Sequence, residues 1–416
     1  MSLRIYSFLI SAAAAVSSLA ACASDASGGG PGSGPMGPRF LVAGVTIDPE
    51  GRTGYGVVVD SLDQDVDVDL TRAAIFPGQP SIAPSPDRDG RVWVGLAEEP
   101  VVQRYVLGPD DTLVFEDEVS FAGRGLRSAR SGLVVVSPSR GYVFDLDTLS
   151  VVGFDPTAMV LRESLPLEGV DTPPGGSNNF SFIARDGDRI VFIVNGFRED
   201  GTAVPRSRAV FLDSRSDTLS YADIEGCGRL GWFARDGSGD LWFATHPAQG
   251  GLVAGGLAGT PPSPACLARI PTGGTTFAEG FVSFGDLVES PAGALVQGPG
   301  GSAYTLIFDD PDTEVTEDNG DQLSLTTGWS YYRLQLDDLD SDQGAADLER
   351  VPGLSPGLGI AIGFDVPEGD AVAPTPFIAR IGSFFQTSTF FDLSDPDGAR
   401  ERVTAPGISI GAFRLR

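Results

Sequence analysis

The chain has 416 residues and a net charge of −28; all 28 of its basic residues are Arg, against 40 Asp and 16 Glu. Like charge repels at long range, which excludes nucleic acid and an anionic lipid surface as electrostatic partners and suits cations, cationic ligands or simple solubility. A GC-rich genome or salt adaptation accounts for the missing Lys as well as any function does.

The segment 1–21 carries one positive charge, Arg4, then an apolar stretch through Phe8, Leu9, Ile10 and the 12–16 run, and it leads into Leu19-Ala20-Ala21-Cys22. It is too short and too rich in small side chains for a spanning helix, and it ends where a signal peptidase requires small residues. The tetrapeptide resembles the lipobox of bacterial lipoproteins. We therefore expect 1–21 to be a cleaved signal and Cys22 to carry the lipid, so that the membrane is reached through acyl chains. Residues 22–38 are rich in Gly, Ser and Pro and bury nothing, the composition of a flexible tether, while 39–416 form the folded domain. Ala at position 23 rather than Asp favours the outer membrane; which side of that membrane the domain occupies stays open.

Cys227 and Cys266 remain. An extracytoplasmic compartment preserves disulfides, so these two are expected to pair, the alternative being two separate buried thiols.

From Pro38 onward helical periodicity is nearly absent, and short apolar or alternating runs are bounded by Gly, Pro and Asp. A unit of about 40–55 residues recurs, the spacing of propeller blades. In the clearest unit, 80–84, 91–96, 102–107 and 113–121 read as four strands, with Asp89-Gly90 supplying a tight turn; Asp186-Gly187 and Asp236-Gly237 repeat that signal. Blades are expected at roughly 80–121, 124–168, 178–224, 229–284, 290–352 and 357–404. The leftovers, strands at 40–46, 54–62 and 66–75 and a lone strand at 407–413, combine into a seventh blade that closes the ring without a covalent link. The expected fold is thus an all-β, seven-bladed propeller, with six or eight blades also compatible.

The lipobox, the opening 39–44 with 55–62, and the third-strand segments 142–149 and 332–337 together resemble bacterial seven-bladed propeller lipoproteins of the YncE-like and WD40-like kind. More narrowly, they resemble those found beside siderophore receptors in myxobacteria and Bacteroidetes. The resemblance implies a non-enzymatic accessory of outer-membrane siderophore-iron uptake, with a receptor or a small ligand as partner, and it transfers no binding residue.

His246 is the only histidine, so any imidazole-dependent chemistry must run through it. It follows a second strand, at the rim where ligand loops gather. Long loops are expected at 196–207, 247–264 and 309–328, all on one face, with Cys227 and Cys266 beside them. Arg229, Trp232, His246, Trp329 and Tyr331 flank this rim and combine aromatic area with hydrogen-bond donors, so they are the candidate contacts; core packing explains the two Trp equally well. Asp338, Asp340, Asp342 and Asp347 form an alternating acidic run that could hold Ca²⁺, although Gly344 falls one position later than a Ca²⁺ loop requires, and a solvated acidic turn is the default. A second acidic run spans 309–321. No nucleophile elbow, phosphate loop or Cys-x-x-Cys is read in the chain. The competing function is an extracellular hydrolase or lyase acting on a polysaccharide-type substrate.

Overall fold

The computed structural model describes residues 37–340, 348–366, 375–382, 385–395 and 398–416. The expected signal, Cys22 and most of the tether fall outside these residues, as do Asp342 and Asp347.

The chain opens with β1 (Phe40–Asp48), β2 (Gly51–Val59) and β3 (Ala74–Pro77). Blade 1 follows as β4 (Ser81–Pro84), β5 (Arg91–Gly95), β6 (Val101–Leu107) and β7 (Leu113–Ser120), and blade 2 as β8 (Leu133–Ser137), β9 (Arg140–Asp145), β10 (Ser150–Asp155) and β11 (Val160–Pro166). Blade 3 holds β12 (Ser177–Phe180), β13 (Ala184–Asp186), β14 (Arg189–Phe197), β15 (Ala203–Asp213) and β16 (Thr218–Glu225); β12 and β13 share its innermost position. Blade 4 holds β17 (Leu230–Arg235), β18 (Leu241–Thr245), β19 (Cys266–Ile270) and β20 (Val282–Ser283), interrupted by helix α1 (Pro247–Ala254) and followed by the single turn α2 (Phe284–Leu287). Blade 5 is β21 (Ala292–Gln297), β22 (Ser302–Phe308), β23 (Trp329–Gln335) and β24 (Glu349–Arg350). Blade 6 is β25 (Ile362–Val366), β26 (Thr375–Ile381), β27 (Thr387–Asp392) and β28 (Arg400–Pro406), and β29 (Ile408–Arg414) ends the chain.

The sheets are antiparallel and form a seven-bladed propeller. The C-terminal β29 is the innermost strand of blade 7, paired with β1 from Phe40↔Arg414 to Val45↔Ile408, so the expected closure by the two chain ends is what the structure contains. Gly407 makes the turn into β29 at φ +75°, and a Cβ there would sit 2.1 Å from the Val45 carbonyl, which only glycine accommodates. A second clasp, on the outside, joins blade 7 to blade 6. The connection after β2 lies along β28, where Val403 N–H donates to Leu62 at 3.0 Å and Arg402 bridges Asp63 at 2.6 Å and Asp392 at 2.8 Å.

Aromatic and β-branched side chains fill the spaces between blades. Phe121 meets Phe154 edge to face at 5.8 Å, and Phe144 meets Phe192 at 4.7 Å. The turn before β18 shows why a strand follows it: the Asp236 carboxylate accepts from the Ser238 and Asp240 amides and from Trp242 Nε1 at 2.9 Å, locking the hairpin to its first buried aromatic.

Three expectations need correction. The run 66–75 is not one strand: a 3₁₀ turn at Leu70–Arg72, capped by Asp69, precedes the short β3. The loop expected at 196–207 shrinks to 198–202, because β15 starts at Ala203 and its apolar alternation continues the sheet. In blade 4 the positive φ belongs to Gly239 at +88° rather than to Gly237.

Candidate functional site

Connections from first to second and from third to fourth strands lie on one face of the ring, here called lower. Those from second to third strands lie on the upper face. On the upper face, blades 4 and 5 carry the long connections 246–265 and 309–328, whereas each of the other blades turns there in five residues or fewer. The two long connections pack on each other. Gly251 of α1 and Gly255, which caps its end, lie so close to the blade 5 loop that a Cβ would meet the Gly320 carbonyl at 2.5 Å or the Thr316 carbonyl at 2.8 Å. Gly250 lies equally close to the Ala292 carbonyl, so α1 rests on the start of β21, the inner strand of blade 5. Cys227, just before β17, and Cys266, opening β19, form the expected disulfide with Cα atoms 6.0 Å apart, and both are fully buried. The bond ties the start of blade 4 to the far end of the α1 loop.

His246 starts α1. Its Nδ1 accepts the Ala248 N–H at 2.9 Å, Pro247 occupies the first helical position, and its ring stands edge-on to Trp232 with centroids 4.6 Å apart. Burial, then the nearby Arg229 guanidinium, holds its pKa well below the ordinary histidine value. The imidazole is therefore neutral, with its Nδ1 lone pair already occupied by a backbone amide, and it is not available as a general base through that atom. Phe182, pushed inward where β12 gives way to β13, packs on the other side of Trp232 at 5.3 Å. Trp232 Nε1 donates to the Ala361 carbonyl at 2.6 Å, joining blade 4 to the segment that enters blade 6. Arg229 has a left-handed backbone (φ +63°), its guanidinium lies 5.5 Å from the Phe197 ring, and its carbonyl accepts the His246 N–H.

The structure thus brings Arg229, Trp232 and His246 together, but as buried residues at the upper end of blade 4 rather than as exposed rim. Trp329 and Tyr331 sit apart from them, between blades 5 and 6: Trp329 donates to the Leu323 carbonyl at 2.8 Å and meets Phe308 edge-on, and the buried Tyr331 hydroxyl has no hydrogen-bond partner among the described residues. Periodicity located these residues correctly along the chain. What it could not show is that α1 and the blade 5 loop would cover them.

Of the expected Ca²⁺ ligands, Asp338 and Asp340 lie in the 3₁₀ turn Asp337–Asp340, and no group of three or more metal-ligating side chains occurs among the described residues. In the other acidic run, Asp309 accepts from Ser330 and Tyr332 and so organises its own blade. Two Gly-x-Ser-x-Gly pentapeptides do occur, at 353–357 and 407–411, contrary to the expectation of none. Neither is an elbow. Ser409 is a buried residue of β29 whose N–H donates to Ser388, and Ser355 lies in the link between blades 5 and 6, followed by a strand rather than by a helix.

Sequence reasoning missed one cleft. On the lower face between blades 3 and 4, about 450 Å³ is lined by Asp186, Asp188, Asp213, Arg189, Arg215 and Phe211, among others. Arg189 builds it by reaching the Gly274 carbonyl and the Asp186 carboxylate, and Arg215 pairs with Asp188. These residues read as ordinary strand and turn residues, and the assembly exists only because the 271–281 connection folds back onto blade 3. Carboxylates held beside guanidinium groups and hydroxyls can hydrogen-bond a polyol or sugar.

No protein-family profile and no curated protein matches the chain. Solved structures match it in fold. A Lactobacillus plantarum protein is 11% identical, with a TM-score of 0.52 over 92% of this chain and 100% of its own. A candidate 6-phosphogluconolactonase of Bacteroides fragilis is 10% identical, with a TM-score of 0.53 over 93% and 100%. The Pseudomonas aeruginosa periplasmic gluconolactonase PpgL is 10% identical, with a TM-score of 0.50 over 91% and 99%. The class defined is a seven-bladed propeller with a disulfide-tied upper face. The similarity to these lactonase structures is one of fold.

Proposed function

We propose that this protein is an extracytoplasmic lipoprotein, anchored through Cys22, that binds a partner or ligand through the upper face of blades 4 and 5 and does not act as a catalyst there. The observation that carries the reading is the pairing of the two longest upper connections into one unit, built on α1 and held by Cys227–Cys266. A rigid ring that elaborates one sector of one face presents that sector for recognition. The disulfide fits an oxidising compartment, as does the lipobox. The finer reading, an accessory of siderophore-iron uptake at the outer membrane, is supported by the resemblance to receptor-associated propeller lipoproteins. The test is to capture partners from detergent-solubilised membranes with the wild-type chain and with Val253→Asp, which alters an exposed residue of α1. Loss of the captured species by Val253→Asp, with retention by a control Glu163→Gln on the outer wall, is the expected result. Equal capture by both variants contradicts the assignment.

A second reading, hydrolysis of a sugar lactone in the lower cleft, is favoured by its three Asp and by the names of two fold neighbours. Lactone turnover by the purified chain that Asp213→Asn abolishes would establish it.

A further inference from the structure

Most of the large apolar side chains that stay exposed lie on one part of the outer wall. Ile75 of β3, Val114 and Phe115 of β7, and Val160 of β11 are 45–57% exposed, and they belong to the consecutive blades 7, 1 and 2. Each lies among the first three residues of an outermost strand, the end that adjoins the lower face. Local packing joins them. Tyr105 meets Phe76 at 5.6 Å and Phe115 at 5.9 Å, and Arg104 donates to the Pro156 and Thr157 carbonyls of the turn that leads into Val160. Val114 and Phe115 are successive, regularly paired residues of β7 and so face opposite sides of the sheet, and the apolar surface extends toward both neighbouring blades.

The chain enters the ring at this same place. Arg39, the residue before β1, holds Asp111 at 2.7 Å, and Arg72, three residues before Ile75, donates to the Asp110 carbonyl at 2.9 Å. The Asp110–Asp111 turn lies immediately before Val114 and Phe115. Cys22 is separated from Gly37 by a stretch that spans at most about 50 Å fully extended, so a lipid on Cys22 keeps the chain's entry point, and this part of the wall beside it, within about that distance of the bilayer. Exposed apolar side chains held that close gain from high effective concentration, and shallow burial of a few of them adds to what acyl chains alone provide.

We propose that the lower outer wall of blades 7, 1 and 2 lies against the anchoring membrane, with Ile75, Val114, Phe115 and Val160 in its interface. The proposal rests on the lipid anchor at Cys22. Contact is apolar rather than electrostatic, because the chain's charge of −28 opposes anionic headgroups. The upper face, with α1, then points into the aqueous compartment, and whatever it binds arrives from that side.

The test uses the full lipidated chain in phosphatidylcholine vesicles. All four native Trp are buried, so they give a constant background against which Phe115→Trp and, on the opposite face, Val253→Trp report separately. Flotation and the mass of the Cys22 peptide check the anchor independently. With the anchor intact, the inference expects blue-shifted emission from Phe115→Trp that brominated acyl chains quench, and no such quenching of Val253→Trp. Quenching at neither position, or equally at both, in vesicles that do float the protein overturns the orientation and leaves the anchor standing. Emission from Phe115→Trp that shifts with protein concentration and not with lipid assigns the surface to a second copy of the chain instead. Failure to float, with unmodified Cys22, overturns the anchor and this inference together.

Discussion

Trp232 in the inner strand of blade 4 donates its indole N–H to the carbonyl of Ala361, which leads into the inner strand of blade 6, so the two blades are fastened over the top of blade 5. Ala361 is fully buried, and Trp232→Phe leaves its carbonyl without that donor. The expected cost is about 1–3 kcal/mol, measured by urea denaturation. Unchanged stability would mean that the bond contributes nothing net.

His246 gives a pH dependence of known sign. Its folded-state pKa lies below the unfolded value, from burial first and Arg229 second, so below that unfolded value the unfolded chain binds a proton that the folded chain does not. The contribution is fully present above about pH 6.5 and is lost progressively as the solution is acidified below it. Because the chain has no other histidine, His246→Asn, which keeps a capping acceptor, is expected to flatten the curve just below that pH. An identical slope in the variant would locate the titration elsewhere.

Tyr331 carries a buried hydroxyl without a hydrogen-bond partner among the described residues. Tyr331→Phe removes a desolvated group and no hydrogen bond, so the melting temperature is expected to stay the same or rise, unlike most core substitutions. A marked fall would show that the hydroxyl is satisfied in solution.

Arg402 and Asp392 form a buried ion pair in the outer clasp between blades 6 and 7, at 2.8 Å. Arg402→Met strands Asp392 and is expected to cost about 3 kcal/mol, while adding Asp392→Asn recovers part of the loss. A double variant no better than the single one would show that the clasp depends on Asp63 instead.

Reduction of Cys227–Cys266, which closes a separation of 39 residues, is expected to lower stability by roughly 3–4 kcal/mol in the chain-entropy model. Both sulfur-bearing residues are fully buried, so reductant alone should act slowly until denaturant opens the blade. Fast reduction under native conditions would contradict the packing.

Strand periodicity and turn chemistry are local, and they were sufficient to place the blades and to join the leftover strands at 40–46 and 54–62 with the lone strand at 407–413. The disulfide followed from compartment and count. The burial of Trp232 and His246 was not legible, because it depends on α1, a glycine-rich segment whose helix exists only against Gly320 and Ala292. The run 66–75 misled because Val66, Val68 and Leu70 alternate like a strand while serving a connection that lies along blade 6. The lower cleft left no trace in the sequence, since it arises from a loop of blade 4 folding onto blade 3 and from no motif within either.

The most direct test of the central claim is a photo-crosslinking comparison in intact cells, with the probe placed at Val253 on the upper face and, separately, at Glu163 on the outer wall. The account predicts one discrete adduct from position 253 and none of that mass from 163. Adducts of the same mass from both positions, or none at 253 in a chain shown to be anchored, would contradict it.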